Sequence, residues 1–239
     1  MTTRLAICLG LSRLDPASYD GWPGECPGAD RDAARFGTAC HDAGFDGVTC
    51  LVNQFVQPRY VKPVFTAARK QLKAGDLLVL FNSGHGGQMP DIDGDEQDGK
   101  DETLLWWNGE INDDTIAKYL ATLPKGVRVL FVADTCNSGT LYRGRIDVAK
   151  STPMQFARAP RKYRGSLLHL GGCEDGRVSW GDTDGGQWTI ALLDALNSAR
   201  KPLTYREWYA RAVMRMPDHQ RPVWDEYGGE SFADQEAIR

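Results

Sequence analysis

Several signatures are missing from this 239-residue sequence, and each absence removes a class of function. No apolar run approaches the roughly 20 residues that a membrane-spanning helix needs. The apolar stretch near the start, Leu5 to Leu9, is too short for a secretory signal core and is followed by no small-residue cleavage site. Its six cysteines (Cys8, Cys26, Cys40, Cys50, Cys136, Cys173) have no CxxC spacing, so neither a zinc site nor a thioredoxin-type motif is suggested. The formal net charge is −4 and the chain lacks an overall basic excess, which argues against a nucleic-acid partner. GxSxG elbow, Walker loop and dinucleotide glycine fingerprint are absent, and Gly84-His-Gly-Gly-Gln-Met fails the last of these at its final position. Internal repeats and low-complexity tracts are lacking as well. These absences leave a soluble, cytoplasmic protein as the expectation.

What is present is an ordinary globular composition, 41% hydrophobic and 25% charged. Strand-like apolar runs at Leu5 to Leu9, Gly47 to Val52, Leu77 to Phe81, Val127 to Val132 and Ser166 to Leu170 alternate with helical patterns. The helical patterns span Ala29 to Ala43, Arg59 to Leu72, Asp113 to Leu123 (after an Asn112 N-cap), Gly185 to Leu196 and Thr204 to Met214. Continuous apolar strands between helices predict an α/β fold, a mostly parallel central sheet with helices on both faces. Asn108-Gly109 within Trp106 to Glu110 predicts a hairpin turn. Leu141 to Arg164 has little periodicity and carries seven basic residues (Arg143, Arg145, Lys150, Arg158, Arg161, Lys162, Arg164) against one acidic one, and reads as a connector. One domain is expected, in three parts: 1–140, the basic linker 141–164, and 165–239.

Function in such sheets sits at the carboxyl ends of the strands. Leu77 to Phe81 runs into Asn82-Ser-Gly-His-Gly-Gly87, read as a glycine-rich loop, and Val127 to Ala133 runs into Asp134-Thr-Cys-Asn-Ser-Gly139. Two parallel strands ending at one edge bring His85 and Cys136 together, although they are 51 positions apart. Only a thiolate attacks a carbonyl efficiently, and an adjacent imidazole can take the thiol proton and return it to the leaving amine. Backbone N–H groups of Gly86 and Cys136 are the candidate oxyanion donors. The bland alternative is a packed cysteine and a loop histidine that never meet.

Phe81-Asn-Ser-Gly-His-Gly-Gly and Asp134-Thr-Cys-Asn-Ser-Gly-Thr140 resemble the histidine and cysteine motifs of metacaspases and their bacterial relatives in the caspase-like clan, where the histidine precedes the cysteine by about 50 residues. Pro27-Gly-Ala-Asp-Arg-Asp-Ala33, Asp91 to Thr103, Gly172-Cys-Glu-Asp175 and Gly185-Gly-Gln-Trp188 extend the similarity over most of the chain. The resemblance implies a caspase-like sandwich and a cysteine endopeptidase acting as a monomer. It also implies that 1–140 and 165–239 correspond to large and small subunits, with a linker that can be autoprocessed. A caspase-like regulatory or binding module without activity is the alternative.

Asp134 lies two residues before Cys136, on the same strand face, where its charge would raise the thiol pKa unless a cation compensates. The economical cation is the Arg or Lys side chain of a protein or peptide substrate, before the scissile bond. By the resemblance, Asp32 and Ser83 complete that pocket, while Ala29 replaces a cysteine common in the family. The alternative makes Asp134 a loop cap and Asp32 a surface residue at a helix start. The acidic stretch Asp91 to Glu102 matches a calcium loop at Asp91, Asp93, Asp95 and Glu102 but has Glu96 where that loop needs glycine. The resemblance implies instead calcium as a cofactor held by Asp101, Asp113 and Asp114. Arg143, where a fourth aspartate is expected, opposes a divalent ion, and a simply solvated acidic loop stays open.

Overall fold

The computed structural model describes residues 2–90, 100–136, 163–172, 181–228 and 232–238. In chain order the elements are β1 (Arg4–Gly10), α1 (Ala29–Asp42), β2 (Gly47–Val52), α2 (Pro58–Gln71), β3 (Leu77–Pro90), β4 (Lys100–Trp106), β5 (Gly109–Asn112), α3 (Asp113–Leu120) and β6 (Arg128–Cys136). There follow β7 (Ser166–Gly171), a minimal hairpin of β8 (Gly181–Asp182) and β9 (Gly185–Gly186), α4 (Gln187–Asn197), α5 (Tyr205–Val213) and β10 (Val223–Tyr227). The main sheet has the order β10-β7-β6-β3-β1-β2. Its pairs are parallel except β10 against β7. The mostly parallel α/β sheet expected from the sequence is therefore present.

The strand order dictates where helices go. β1 connects outward to β2 through α1, and β2 returns past β1 to β3 through α2, so two crossovers of the same hand put α1 and α2 on opposite faces. The period of two along each strand supplies both faces with apolar side chains. Leu5, Ile7 and Leu9 pack with Val61, Phe65 and Ala68 of α2. Ala6 and Cys8 pack with Ala33, Phe36 and Cys40 of α1 and with Trp188 and Leu192 of α4. The reversal of strand order between β1 and β3 opens a crevice at their carboxyl ends, where ligands of such sheets bind.

Helix positions follow the expected ones within a few residues. Asn112 caps α3, its Oδ1 accepting from the Thr115 amide at 3.1 Å, and Thr204 caps α5 in a reciprocal box with Glu207. Two expectations need correction. β3 does not end at Phe81: Asn82 to Gly87 is strand, paired through His85 with β6 and from Gly86 to Pro90 with β4. Glycine's weak strand propensity is overridden by this double pairing. The glycines permit close approach here, since a Cβ on Gly87 would lie 2.8 Å from both Leu105 Cδ1 and Thr103 Oγ1. The β4–β5 hairpin turns at Trp107-Asn108, with Trp106 opposite Gly109, one position earlier than Asn-Gly suggested. β7 pairs with β6, so residues on both sides of the connector share one sheet. Of the connector, residues 141–162 lie outside the described residues. Among the described residues no helix is long and apolar enough to cross a membrane.

Candidate active site

The parallel register of β3 and β6 makes neighbours of distant residues: Ser83 faces Asp134, Gly84 faces Thr135, and His85 faces Cys136. On the other side of β3, Ser83 is opposite Gly10 of β1. The sheet therefore brings the backbones of the expected nucleophile and base side by side at its carboxyl edge. The Cys136 side chain lies outside the described residues. Gly86, the expected oxyanion donor, belongs to the strand opposite Leu104 and is not part of a flexible loop.

His85 is buried, with 1% of its surface exposed. The Trp22 ring lies 5.1 Å from its imidazole, centroid to centroid. Burial pushes the His85 pKa down to about 4, against backbone hydrogen bonds with Gly24 and Glu25 that favour the protonated ring. At neutral pH the imidazole is uncharged and can accept a proton. Trp22, Gly24 and Glu25 all come from the segment between β1 and α1, and sequence reasoning missed their role. That segment has no periodicity to mark a wall of the site.

The second half of the site is carboxylate-rich. Asp32, in the first turn of α1, is fully buried, and its Oδ2 accepts from Ser83 Oγ and from the Gly186 amide, both at 2.9 Å. Asp32 Oδ1 has no hydrogen-bond partner among the described residues. Asp134 is 1% exposed, and its Oδ2 accepts from the Thr189 amide at 2.8 Å and from Thr189 Oγ1 at 2.7 Å. Asp32, Ser83 and Asp134 are thus brought together, and the surface-residue alternative for Asp32 does not hold. Burial, and then the Asp134 charge, raise Asp32 from 3.8 to about 7, while the Gly186 amide, Ser83 and Arg35 pull it back only in part.

What joins these carboxylates is the glycine pair before α4. A Cβ on Gly185 would overlap Asp32 Oδ1, and one on Gly186 would overlap Asp134 Oδ2. The hairpin that presents these glycines is held to α1 by Arg31, whose guanidinium donates to the Thr183 carbonyl at 2.7 Å, and by Arg35, which donates to the Asp184 carbonyl. Gly186, Thr189, Arg31 and Arg35 were not foreseen. The one signal in the sequence was the Gly-Gly pair directly ahead of a helical pattern.

The three proposed calcium ligands sit elsewhere, at β4 and the first turn of α3. Asp101 is buried and its Oδ2 accepts from Asn112 Nδ2 at 2.7 Å. Asp114 pairs with Lys118 at 2.8 Å. Among the described residues no group of three or more His, Cys, Asp or Glu side chains is placed to hold a metal ion. Asp101, Asp113 and Asp114 are therefore not gathered into such a group. Residues 91–99 of the acidic stretch, and Arg143, lie outside the described residues.

Comparison with known proteins places the chain in a family. Metacaspase-2 of Arabidopsis thaliana is 36% identical over 144 residues, covering 53% of this chain and 34% of that protein. Metacaspase-1B of Aspergillus clavatus is 30% identical over 151 residues, 57% of this chain and 35% of that protein. The chain thus spans about a third of the length of these curated relatives. A crystal structure of a Geobacter sulfurreducens protein superposes with a TM-score of 0.82 at 30% identity, covering 99% of this chain and 98% of that one. A profile of the Caspase domain family matches residues 14–228, nearly the whole sequence, and the chain belongs to that family, with metacaspases among its relatives.

Proposed function

We propose that this chain is a cysteine endopeptidase that cleaves protein or peptide substrates after Arg or Lys. The observation that carries the reading is the pair of buried carboxylates, Asp32 and Asp134, beside strand ends where His85 and Cys136 are register partners. Two adjacent carboxylates in a dry site cannot both ionise cheaply, and a guanidinium or ammonium group between them removes the penalty. Asp32 Oδ1, without a partner among the described residues, is the acceptor available to that cation.

In this reading the neutral His85 ring takes the Cys136 thiol proton as the sulfur attacks the scissile carbonyl carbon. Negative charge collects on the carbonyl oxygen, opposite the N–H groups of Gly86 and Cys136. As the C–N bond breaks, the imidazolium returns its proton to the leaving amine. Water, deprotonated by the same ring, then hydrolyses the acyl-enzyme and regenerates the thiol. Hydrogen bonds from the ring to the backbone of Gly24 and Glu25 orient it throughout.

The test is a fluorogenic panel with Arg, Lys or Asp before the scissile bond, run beside Cys136→Ala. Arg and Lys substrates should be turned over and the Ala variant should be inert; faster cleavage after Asp would overturn the cationic pocket. The panel is run with and without calcium. Asp101 and Asp114 are already engaged by Asn112 and Lys118, so a calcium-dependent rate would require ligands beyond the three aspartates. The seven basic residues of 141–164 are candidate self-cleavage positions. Wild-type protein should be nicked there, and Cys136→Ala protein should remain intact on a denaturing gel.

A further inference from the structure

A second group of reactive side chains lies away from the carboxylates, beneath the middle of α1. Cys8 of β1 and Cys50 of β2 are register partners on adjacent parallel strands, so their side chains share one face of the sheet. Cys8 and Cys40 of α1 are fully buried, whereas Cys50, on the edge strand, is exposed, and all three are free thiols.

The helix above is shaped around these sulfurs. Gly37 stands in the middle of α1, where glycine costs about 1 kcal/mol relative to alanine. A Cβ there would overlap Cys50 Sγ and would lie 3.8 Å from Cys8 Sγ, so both sulfurs converge on the notch that Gly37 leaves. Cys50 Sγ also lies 3.5 Å from the Ala33 carbonyl, one turn earlier on the helix. Interaction with the Cys8 thiol lowers the Cys50 pKa to about 7, toward the thiolate. The same interaction and burial raise Cys8.

We propose that Cys50 and Cys8 form a peroxide-sensitive thiol pair, in which Cys50 is oxidised from solvent and Cys8 resolves it as a disulfide joining β1 to β2. In the first step the Cys50 thiolate attacks hydrogen peroxide. The O–O bond breaks, sulfur gains one oxygen and loses two electrons, and the other oxygen leaves as hydroxide, protonated to water. In the second, Cys8 sulfur attacks Cys50 sulfur. The S–S bond forms as the sulfenic oxygen departs with the Cys8 proton as a second water. Register partners on neighbouring strands have Cα atoms about 4.8 Å apart, inside the roughly 4.4–6.8 Å that a disulfide spans. Cys40 is the nearby thiol that the register leaves unpaired with Cys50.

The test uses Cys136→Ala protein, so that its outcome is independent of the peptidase reading. After a small molar excess of hydrogen peroxide, peptide mass mapping under non-reducing conditions should find Cys8 linked to Cys50, with reversal by dithiothreitol. Adding Cys8→Ala should stop the reaction at a Cys50 sulfenic acid, trapped by dimedone. Because Cys8 is a core residue, Cys50→Ala on the exposed edge is the second variant: Cys8 and Cys40 should then both stay reduced. Unchanged alkylation of Cys50 after peroxide, a Cys40–Cys50 link, or oxidation of Cys8 in Cys50→Ala protein would each overturn the proposal.

Discussion

His85 and Asp32 are equally hidden from water, and burial does opposite things for them. Both are pushed toward their neutral forms, His85 down to about 4 and Asp32 up to about 7. For the imidazole, neutrality is the working state of a base, so its half of the site is complete as it stands. For the carboxylate, neutrality is a deficit, made worse by the neighbouring Asp134 charge. A buried site can thus be finished or unfinished according to the sign of the charge it must hold, and in the proposed function the unfinished half is the one that takes the substrate cation.

The comparison can be broken most decisively at the histidine. His85→Ala should cut kcat for an Arg substrate by about 10³-fold, within the usual range for a general acid–base group, with KM little changed. If KM carried the loss instead, the imidazole would belong to binding. Next comes Gly186→Ala, whose new Cβ would collide with the Asp134 carboxylate. It should lower kcat/KM for Arg and Lys substrates by about 10²-fold, comparable to disrupting a buried charge site. An alanine variant with normal kinetics would mean that the carboxylates do not meet substrate. Asp32→Asn should cost Arg substrates about 10–100-fold in kcat/KM, mostly through KM, and leave alkylation of the thiol by iodoacetamide unchanged.

The pH profile sharpens the contrast further. In the wild type, kcat/KM for an Arg substrate should rise as pH climbs through about 7, because Asp32 must ionise to take the cation, whereas His85 contributes only near 4. The limb near 7 should vanish in Asp32→Asn; its persistence there would assign it to another group. The smallest effect is on stability. Asp32 has a raised folded-state pKa, so its contribution is full below 3.8 and is lost as pH rises through about 7. Asp32→Asn should therefore be more stable than wild type at pH 8 by on the order of 1–3 kcal/mol, with the difference shrinking toward pH 4 in denaturant melts.

How legible was this arrangement? The strand and helix positions were readable because burial on both sheet faces leaves continuous apolar runs, as in Leu77 to Phe81, and because Asn112 and Thr204 mark helix starts by capping chemistry. The continuation of β3 through His85 to Pro90 was not readable, since Gly84, Gly86 and Gly87 are poor strand formers whose conformation is imposed by pairing first with β6 and then with β4. β10, a short edge strand of mixed polarity, also left too little pattern to recognise.

For chemistry the division is sharper. From the residues alone came the pairing of His85 with Cys136, because two parallel strands of one sheet must end at one edge, and the suspicion that Asp134 needs a cation. Only the tertiary structure decided that Asp32 and Asp134 share a buried site, that Thr189 and the Gly186 amide hold them there, and that Trp22, Gly24 and Glu25 enclose the imidazole. Local pattern reports which residues a strand or helix requires. Desolvation and charge coupling depend on what lies across the sheet or at the far end of the chain, and a sequence read in order does not contain that distance.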